Sequence, residues 1–120
     1  MKFIGKYRVH FAIKGGGHSL NPGFSSTKGI HISMSRFNHV IYHEKNGTVD
    51  IGSGLIWDDV FKQLEPYNIS VVGGRISGVG VGGLLLGGGY SWKSNQYGLS
   101  IDNIYGYEVI GNYWKLNWIL

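Results

Sequence analysis

The chain has 120 residues, enough for one domain, and its 42% hydrophobic content can fill a core. Its net charge of +4 comes from scattered lysines and arginines, so no basic run predicts a nucleic-acid partner. The absence of cysteine excludes disulfides and cysteine metal sites. No stretch approaches the ~20 apolar residues of a membrane span, which predicts no membrane partner. No signal peptide is visible, and the compartment stays unassigned.

The first half of the chain predicts short strands. Alternating apolar and polar residues indicate strands at residues 8–13 and 30–34. Residues 38–43 and 48–52 predict a pair of strands joined by a hairpin. Asn46-Gly47 lies between them and favours a type I′ turn, because both residue types tolerate positive φ.

The second half predicts two helices and two strands. Leu55, Val60 and Leu64 recur at helical spacing, with Ser53 as a possible N-cap and Pro66 as the stop. An apolar strand is expected at residues 69–72, a short buried helix at 81–86 and a final strand at 101–110. The elements together predict an α+β fold, a mixed sheet with antiparallel pairs and flanking helices.

Glycine is the most informative residue type, with 21 copies in the chain. One cluster, Gly15-Gly16-Gly17, stands directly before His18 and Ser19. The second runs over residues 73–89 and holds nine glycines in seventeen positions. Glycine allows positive φ and close approach of the backbone. Two such loops predict one extended ligand held by main-chain N–H groups, with phosphates as the natural candidate.

Other chemistries find less support in the residues. Residues 78–83 satisfy G-x-G-x-x-G, but they do not follow directly on a strand and the βαβ alternation is missing, so a Rossmann fold is rejected. His39 and His43 stand in a predicted strand, which does not suit a zinc pair, and no metal site is predicted. Asp58 and Asp59 are interpreted as balancing a helix dipole. Position alone leaves open whether His18 is structural or faces a ligand.

Several motifs, taken in order, resemble a known family. Residues 14–23, with the sequence KGGGHSLNPG, look like the first flavin loop of the berberine-bridge-enzyme-like oxidoreductases. These are FAD-linked enzymes of the vanillyl-alcohol-oxidase type, with a PCMH-type FAD-binding domain. Residues 73–83, 86–91 and 97–103 continue the resemblance, which covers about residues 8–110. The ordered set is more specific than any single loop.

The resemblance implies FAD as cofactor, extended, with its pyrophosphate wrapped by glycine-rich main chain. In the family, the histidine at the position of His18 is commonly bonded to the flavin 8α-methyl carbon. Bicovalent members also carry a cysteine where this chain has Ile76, so any covalent link here is expected through His18 alone. Asp102 and Ile110 match the region beside the adenosine half. The predicted cofactor-binding residues are Gly15, Gly16, Gly17, His18, Ser19, Gly74, Gly78, Gly80, Gly82, Gly83, Asp102 and Ile110.

The same resemblance sets the expected domain organisation. Residues 8–110 are interpreted as a partial FAD-binding domain and residues 111–120 as a divergent tail, so the chain is expected to be a fragment. Full-length members, which are often secreted, add a substrate domain that carries the catalytic base and binds a small-molecule substrate. They remove a hydride equivalent from an alcohol or a carbon–nitrogen centre, with oxygen as the expected oxidant. No catalytic residue is therefore assigned, and whether this chain is itself an enzyme stays open. The alternative hypothesis is a non-catalytic remnant, or a phosphate-ligand binding module without redox activity.

Overall fold

The computed structural model describes residues 1–110 and 116–119, and it confirms the α+β class. Helices and strands are short and joined by long glycine-rich connections. The helices are α1 (Lys2–Tyr7), α2 (Trp57–Leu64), α3 (Val81–Leu86) and α4 (Ser94–Tyr97), with 3₁₀ turns at Glu65–Tyr67 and Ser100–Asn103. The strands are β1 (Phe11–Lys14), β2 (Ile30–Ser33), β3 (Val40–His43), β4 (Thr48–Ile51), β5 (Tyr107–Ile110) and β6 (Leu116–Ile119).

The strands pair in three two-stranded sheets rather than in one continuous sheet. β1 and β2 are parallel, while β3 pairs with β4 and β5 with β6 in antiparallel fashion. Parallel neighbours require a long crossover connection. Residues 15–29 are that crossover, so the first glycine cluster leaves the carboxyl end of β1.

The core lies against one face of α2. Trp57, Val60 and Leu64 on this helix are buried, and Leu55 and Val81 complete the cluster. Two backbone hydrogen bonds attach the second glycine cluster to this core. The Trp57 amide donates to the Val79 carbonyl at 3.0 Å, and the Val81 amide donates to the Leu55 carbonyl at 2.9 Å. The start of α2 therefore positions the second cluster.

The amino-terminal strand is shorter than predicted. The predicted strand at 8–13 begins only at Phe11, because α1 precedes it and is followed by Arg8 at its C-cap, whose φ of 50° is left-handed. The Val9 amide closes the helix end by donating to the Ile4 carbonyl at 3.1 Å. The helix was missed because six residues with Gly5 among them carry little helical periodicity.

The hairpin between β3 and β4 is confirmed, but its turn type was wrong. His43 pairs with Thr48, which leaves a four-residue loop. Only Gly47, with φ 63°, is left-handed in this loop, whereas a type I′ turn requires positive φ at both central residues. The amides of Asn46 and Gly47 both donate to the His43 carbonyl, at 3.1 and 2.9 Å.

Helix α2 was predicted correctly in place, but its predicted N-cap was wrong. It begins at Trp57 with Ile56 at the N-cap and no side-chain cap hydrogen bond, so Ser53 does not cap it. The α-helix ends at Leu64, before Pro66, as predicted, and Pro66 belongs to the 3₁₀ turn that follows. It lies in the first turn of the 3₁₀ segment, where a missing N–H is tolerated, and the turn ends at Asn68 with φ 53°.

Two predicted strands differ from the structure. Residues 69–72 do not form a strand. Their apolar side chains Ile69 and Val71 pack against the core instead of joining a sheet. Residues 101–103 belong to a 3₁₀ turn, in which the Asn103 side-chain amide donates to the Leu99 carbonyl at 2.8 Å. Of the predicted strand at 101–110, only Tyr107–Ile110 forms. Within the predicted tail, residues 111–115 and 120 lie outside the described residues.

Candidate functional site

The two glycine clusters are in direct backbone contact. A Cβ atom placed on Gly16 would lie 2.7 Å from the Gly80 Cα and 2.8 Å from its nitrogen. The reverse holds too, since a Cβ on Gly80 would lie 2.5 Å from the Gly16 nitrogen. Real side chains do not approach backbone this closely. Glycine is therefore required on both sides of the contact.

A third segment, the connection from β4 to α2, completes the junction. The Ser53 carbonyl oxygen lies 3.5 Å from a Cβ placed on Gly15 and 3.2 Å from one placed on Gly82. Ser53 thus touches both clusters through its backbone. Sequence reasoning noticed this residue only as a helix cap, because nothing local indicates a contact with two remote loops.

Main-chain donors without protein partners gather around this junction. Among the described residues, the backbone amides of residues 15–19 donate no hydrogen bond to a protein acceptor, nor do those of Gly82 and Gly83. Gly83 is exposed, and a Cβ placed on it would meet nothing within 4 Å. Unpaired amides beside open space form a cradle that suits an anion. The residues present therefore fit a diphosphate.

His18 lies beside the second cluster. A Cβ placed on Gly78 would be 3.5 Å from His18 Cδ2 and 4.0 Å from its Nε2, so this ring edge faces Gly78. Lys14 is a further residue that sequence reasoning did not select. Its side chain folds over Gly17, and its Nζ would lie 3.5 Å from a Cβ there. A cation beside a glycine loop was the available signal for an anion site.

Asp58 holds the second cluster from the side of α2. The Gly78 amide donates to Asp58 Oδ2 at 2.8 Å. This hydrogen bond, followed by one from the Ser77 hydroxyl, lowers the pKa of the Asp58 carboxyl. The expected role of Asp58 in balancing the helix dipole is therefore incomplete. The Gly78 amide is already occupied, which distinguishes Gly78 from the other predicted glycines.

The remaining predicted residues lie apart from the junction in their described contacts. Gly74 is buried against the indole of Trp57, where an added Cβ would lie 2.5 Å from Cδ1. The Asp102 carboxylate accepts a hydrogen bond from the Leu99 amide at 2.7 Å and so caps a 3₁₀ turn. Ile110 is exposed at the end of β5. The described contacts join none of these three residues to the Gly16–Gly80 pair.

Arg75 connects the beginning of the second cluster to the segment after its end. Its guanidinium carbon lies 4.6 Å from the centre of the Tyr90 ring and 5.2 Å from that of Trp92. Such cation–π contacts contribute about 0.5–1 kcal/mol each at exposed sites. They stabilise the loop that runs from Gly74 to the contact at Gly80.

Other kinds of site are not evident in the part of the chain that the structure describes. No group of three metal-ligating side chains occurs there, and none of its helices has the length and apolar character to cross a bilayer. Two open depressions flank α2, one lined by Phe61 and Lys93 and the other by Ser35 and Asn38. Neither includes a residue of the glycine clusters. The backbone cradle, rather than a deep pocket, is the feature that marks a site.

Comparison with known proteins decides the family. The profile of the FAD binding domain family matches residues 1–112. The chain belongs to this family. An FAD-dependent monooxygenase of Cochliobolus heterostrophus is 50% identical over 101 residues, and one of Fusarium proliferatum is also 50% identical over 101 residues. Each match covers 83% of this chain and 20% of the relative, so the chain spans about a fifth of these curated relatives.

Solved structures show the same fold. The 6-hydroxy-D-nicotine oxidase of Arthrobacter nicotinovorans superposes with a TM-score of 0.88 at 25% identity, over 98% of this chain and 26% of the oxidase. Glucooligosaccharide oxidase of Acremonium strictum superposes with a TM-score of 0.82 at 28% identity, over 95% of this chain and 24% of that enzyme. The latter is described with a 6-S-cysteinyl, 8α-N1-histidyl FAD.

These matches confirm the predicted family, the PCMH-type fold and FAD as the cofactor. The FAD-binding domain is one of a flavin-dependent oxidoreductase family. The cradle at the Gly16–Gly80 contact agrees with that cofactor, because its donors are bare amides and the Lys14 side chain lies over Gly17 of the first cluster.

Proposed function

We propose that the two glycine clusters hold the FAD diphosphate through main-chain amides. The observation that carries this proposal is the Gly16–Gly80 contact, which brings both clusters to one place. The donors are the amides of residues 15–19 together with those of Gly82 and Gly83, which have no protein acceptor among the described residues. Successive bare N–H groups can surround a diphosphate without obstruction by side chains.

The Asp58 carboxylate determines which backbone amides of the second cluster can donate hydrogen bonds to the diphosphate. Asp58 Oδ2 accepts a hydrogen bond from the Gly78 amide at 2.8 Å, so that amide is not free to donate to phosphate. A carboxylate at this point also repels a diphosphate. The phosphate oxygens therefore lie toward the first cluster and Gly83, and Lys14 at the end of β1 brings a positive charge to the first cluster.

His18 is the residue proposed for covalent attachment to the flavin. It is exposed at the end of the first cluster, and its Cδ2–Nε2 edge lies against Gly78, which leaves Nδ1 on the opposite edge. The histidyl link described for glucooligosaccharide oxidase supports the proposal. Replacing one C–H bond of the 8α-methyl group by a bond to a ring nitrogen is a two-electron oxidation, for which dioxygen is the oxidant. Ile76 offers no second attachment point.

In a full-length form, the proposed reaction is oxidation of a small molecule at an alcohol or a carbon–nitrogen centre. Bound FAD supplies the redox chemistry, accepting a hydride equivalent that oxygen later removes as electrons and protons. The residues of this chain bind and orient the cofactor. No general base is assigned among them.

Replacement of His18 by alanine is expected to abolish covalent attachment while leaving reversible FAD binding. The purified 120-residue chain is incubated with FAD, precipitated with acid and washed, and the flavin absorbance of the pellet is measured. Wild-type pellets are expected to stay yellow and His18→Ala pellets to be colourless. His31→Ala, an exposed histidine on β2, is the matched control. A yellow His18→Ala pellet contradicts the assignment, and a chain that ignores FAD favours the non-catalytic remnant.

Replacement of Gly83 by alanine is expected to move stability and FAD binding in opposite directions. The added methyl group meets no protein atom and removes backbone freedom within α3, so stability rises by about 0.5–1 kcal/mol. The same methyl group covers the amides proposed to meet the diphosphate, so FAD affinity falls. Urea unfolding and flavin fluorescence titration measure the two effects. Leu86→Ala, at a position 90% exposed on the same helix, serves as control. Unchanged FAD affinity in Gly83→Ala contradicts this placement.

A further inference from the structure

The hydrogen bond between Asp58 and Gly78 adds a side-chain link to the backbone hydrogen bonds that already join the start of α2 to the second cluster. It spans 20 positions in sequence and measures 2.8 Å. Asp58 stands in the first turn of α2, where an acid would be explained by the helix dipole alone. The dipole does not explain why its carboxylate also accepts a hydrogen bond from the Gly78 amide. A charged acceptor makes this contact stronger than a hydrogen bond between neutral groups.

Gly78 is also the residue against which the His18 ring lies. Its φ of 83° is left-handed, which favours glycine at this position. The Cδ2–Nε2 edge of His18 lies on the side of Gly78 where a side chain would project, at van der Waals distance from a Cβ placed there. A shift of Gly78 would therefore change the surface that orients the imidazole.

We propose that Asp58 is a positioning residue for His18 and acts through Gly78. The carboxylate anchors Gly78 to the rigid start of α2, and Gly78 in turn determines which edge of the His18 ring is free. The consequence for the flavin rests on the proposed function, in which His18 forms the covalent link. In this proposal two glycines of the second cluster have different roles: Gly78 orients His18, and Gly80 packs against Gly16.

The test compares Asp58→Ala, Asp58→Asn and Asp59→Ala in the 120-residue chain. Asparagine keeps an acceptor oxygen, and Asp59 is an exposed neighbour whose carboxylate accepts no hydrogen bond among the described residues. Without FAD, the readouts are the hydrogen-exchange protection of the Gly78 amide and the NMR signals of the His18 ring. With FAD, the readout is the flavin retained after acid precipitation.

In Asp58→Ala, we expect Gly78 protection to fall roughly tenfold or more, because a bond to a charged acceptor is lost. The His18 ring signals should shift and less flavin should be retained. Asp58→Asn should recover most of each readout, and Asp59→Ala should match wild type. His18 signals that are the same in Asp58→Ala and Asp59→Ala overturn the proposal. If Asp58→Ala does not fold, the test uses Asp58→Asn alone. Lower hydrogen-exchange protection of the Gly78 amide in that variant, with unchanged NMR signals of the His18 ring, overturns the proposal.

The two proposals fail in different ways. A wild-type chain that takes up no FAD contradicts the proposed function, while the FAD-free signals of Gly78 and His18 still decide the role of Asp58. Normal covalent flavin in wild type, with His18 signals insensitive to Asp58, leaves the proposed function standing and removes the positioning role.

Discussion

Valine at position 80 is expected to weaken FAD binding more than any other single change in the second cluster. A Cβ there would lie 2.5 Å from the Gly16 nitrogen and 2.8 Å from its Cα, and backbone cannot move aside as a flexible side chain can. The two clusters must separate, which disrupts the proposed cradle. Overpacking of this kind costs about 1–3 kcal/mol. If about 2 kcal/mol of this cost is lost from the free energy of FAD binding, the Kd for FAD rises roughly 30-fold.

Leu85→Val is the matched control for Gly80→Val. Leu85 is half-buried on α3 and packs against the core, so losing a methylene group costs about 1 kcal/mol of stability. It does not alter the contact between the clusters. Fluorescence quenching of FAD measures both affinities at a temperature where both variants are folded. Equal affinities for the two variants would show that the Gly16–Gly80 contact does not build the FAD site.

Alanine at position 57 is expected to give the largest loss of stability. Trp57 is 2% exposed, and its indole supports Gly73 and Gly74 as well as the core. Truncation of a buried tryptophan costs about 3–5 kcal/mol, a large part of the 5–15 kcal/mol that is usual for a domain. Urea unfolding followed by circular dichroism measures the change in the unfolding free energy.

Trp57→Phe separates the packing of this side chain from its polarity. The indole Nε1 is buried without a hydrogen-bond partner among the described residues, so removing it sacrifices no hydrogen bond. Trp57→Phe should therefore lose much less stability than Trp57→Ala. A loss below about 1 kcal/mol in Trp57→Ala would mean that the indole does not support the core as described.

Prediction from the sequence succeeded where the signal was local. The alternation at residues 30–34 corresponds to β2, and the helical spacing of Val60 and Leu64 corresponds to α2. It failed at residues 69–72, because an apolar segment can be buried by packing without joining a sheet. It also failed at the hairpin turn, since loop length and register, not the Asn-Gly pair alone, select the turn.

The amino-acid sequence by itself determined the α+β class, the two glycine clusters and, through their order, the FAD-binding family. It did not show that Gly16 meets Gly80, that Ser53 touches both clusters, or that Asp58 occupies the Gly78 amide. Periodicity and turn chemistry act over a few neighbouring residues, whereas these contacts join segments that are remote in sequence. Only the packing of α2 and the strand connections brings them together, because a close backbone approach is decided by the whole fold.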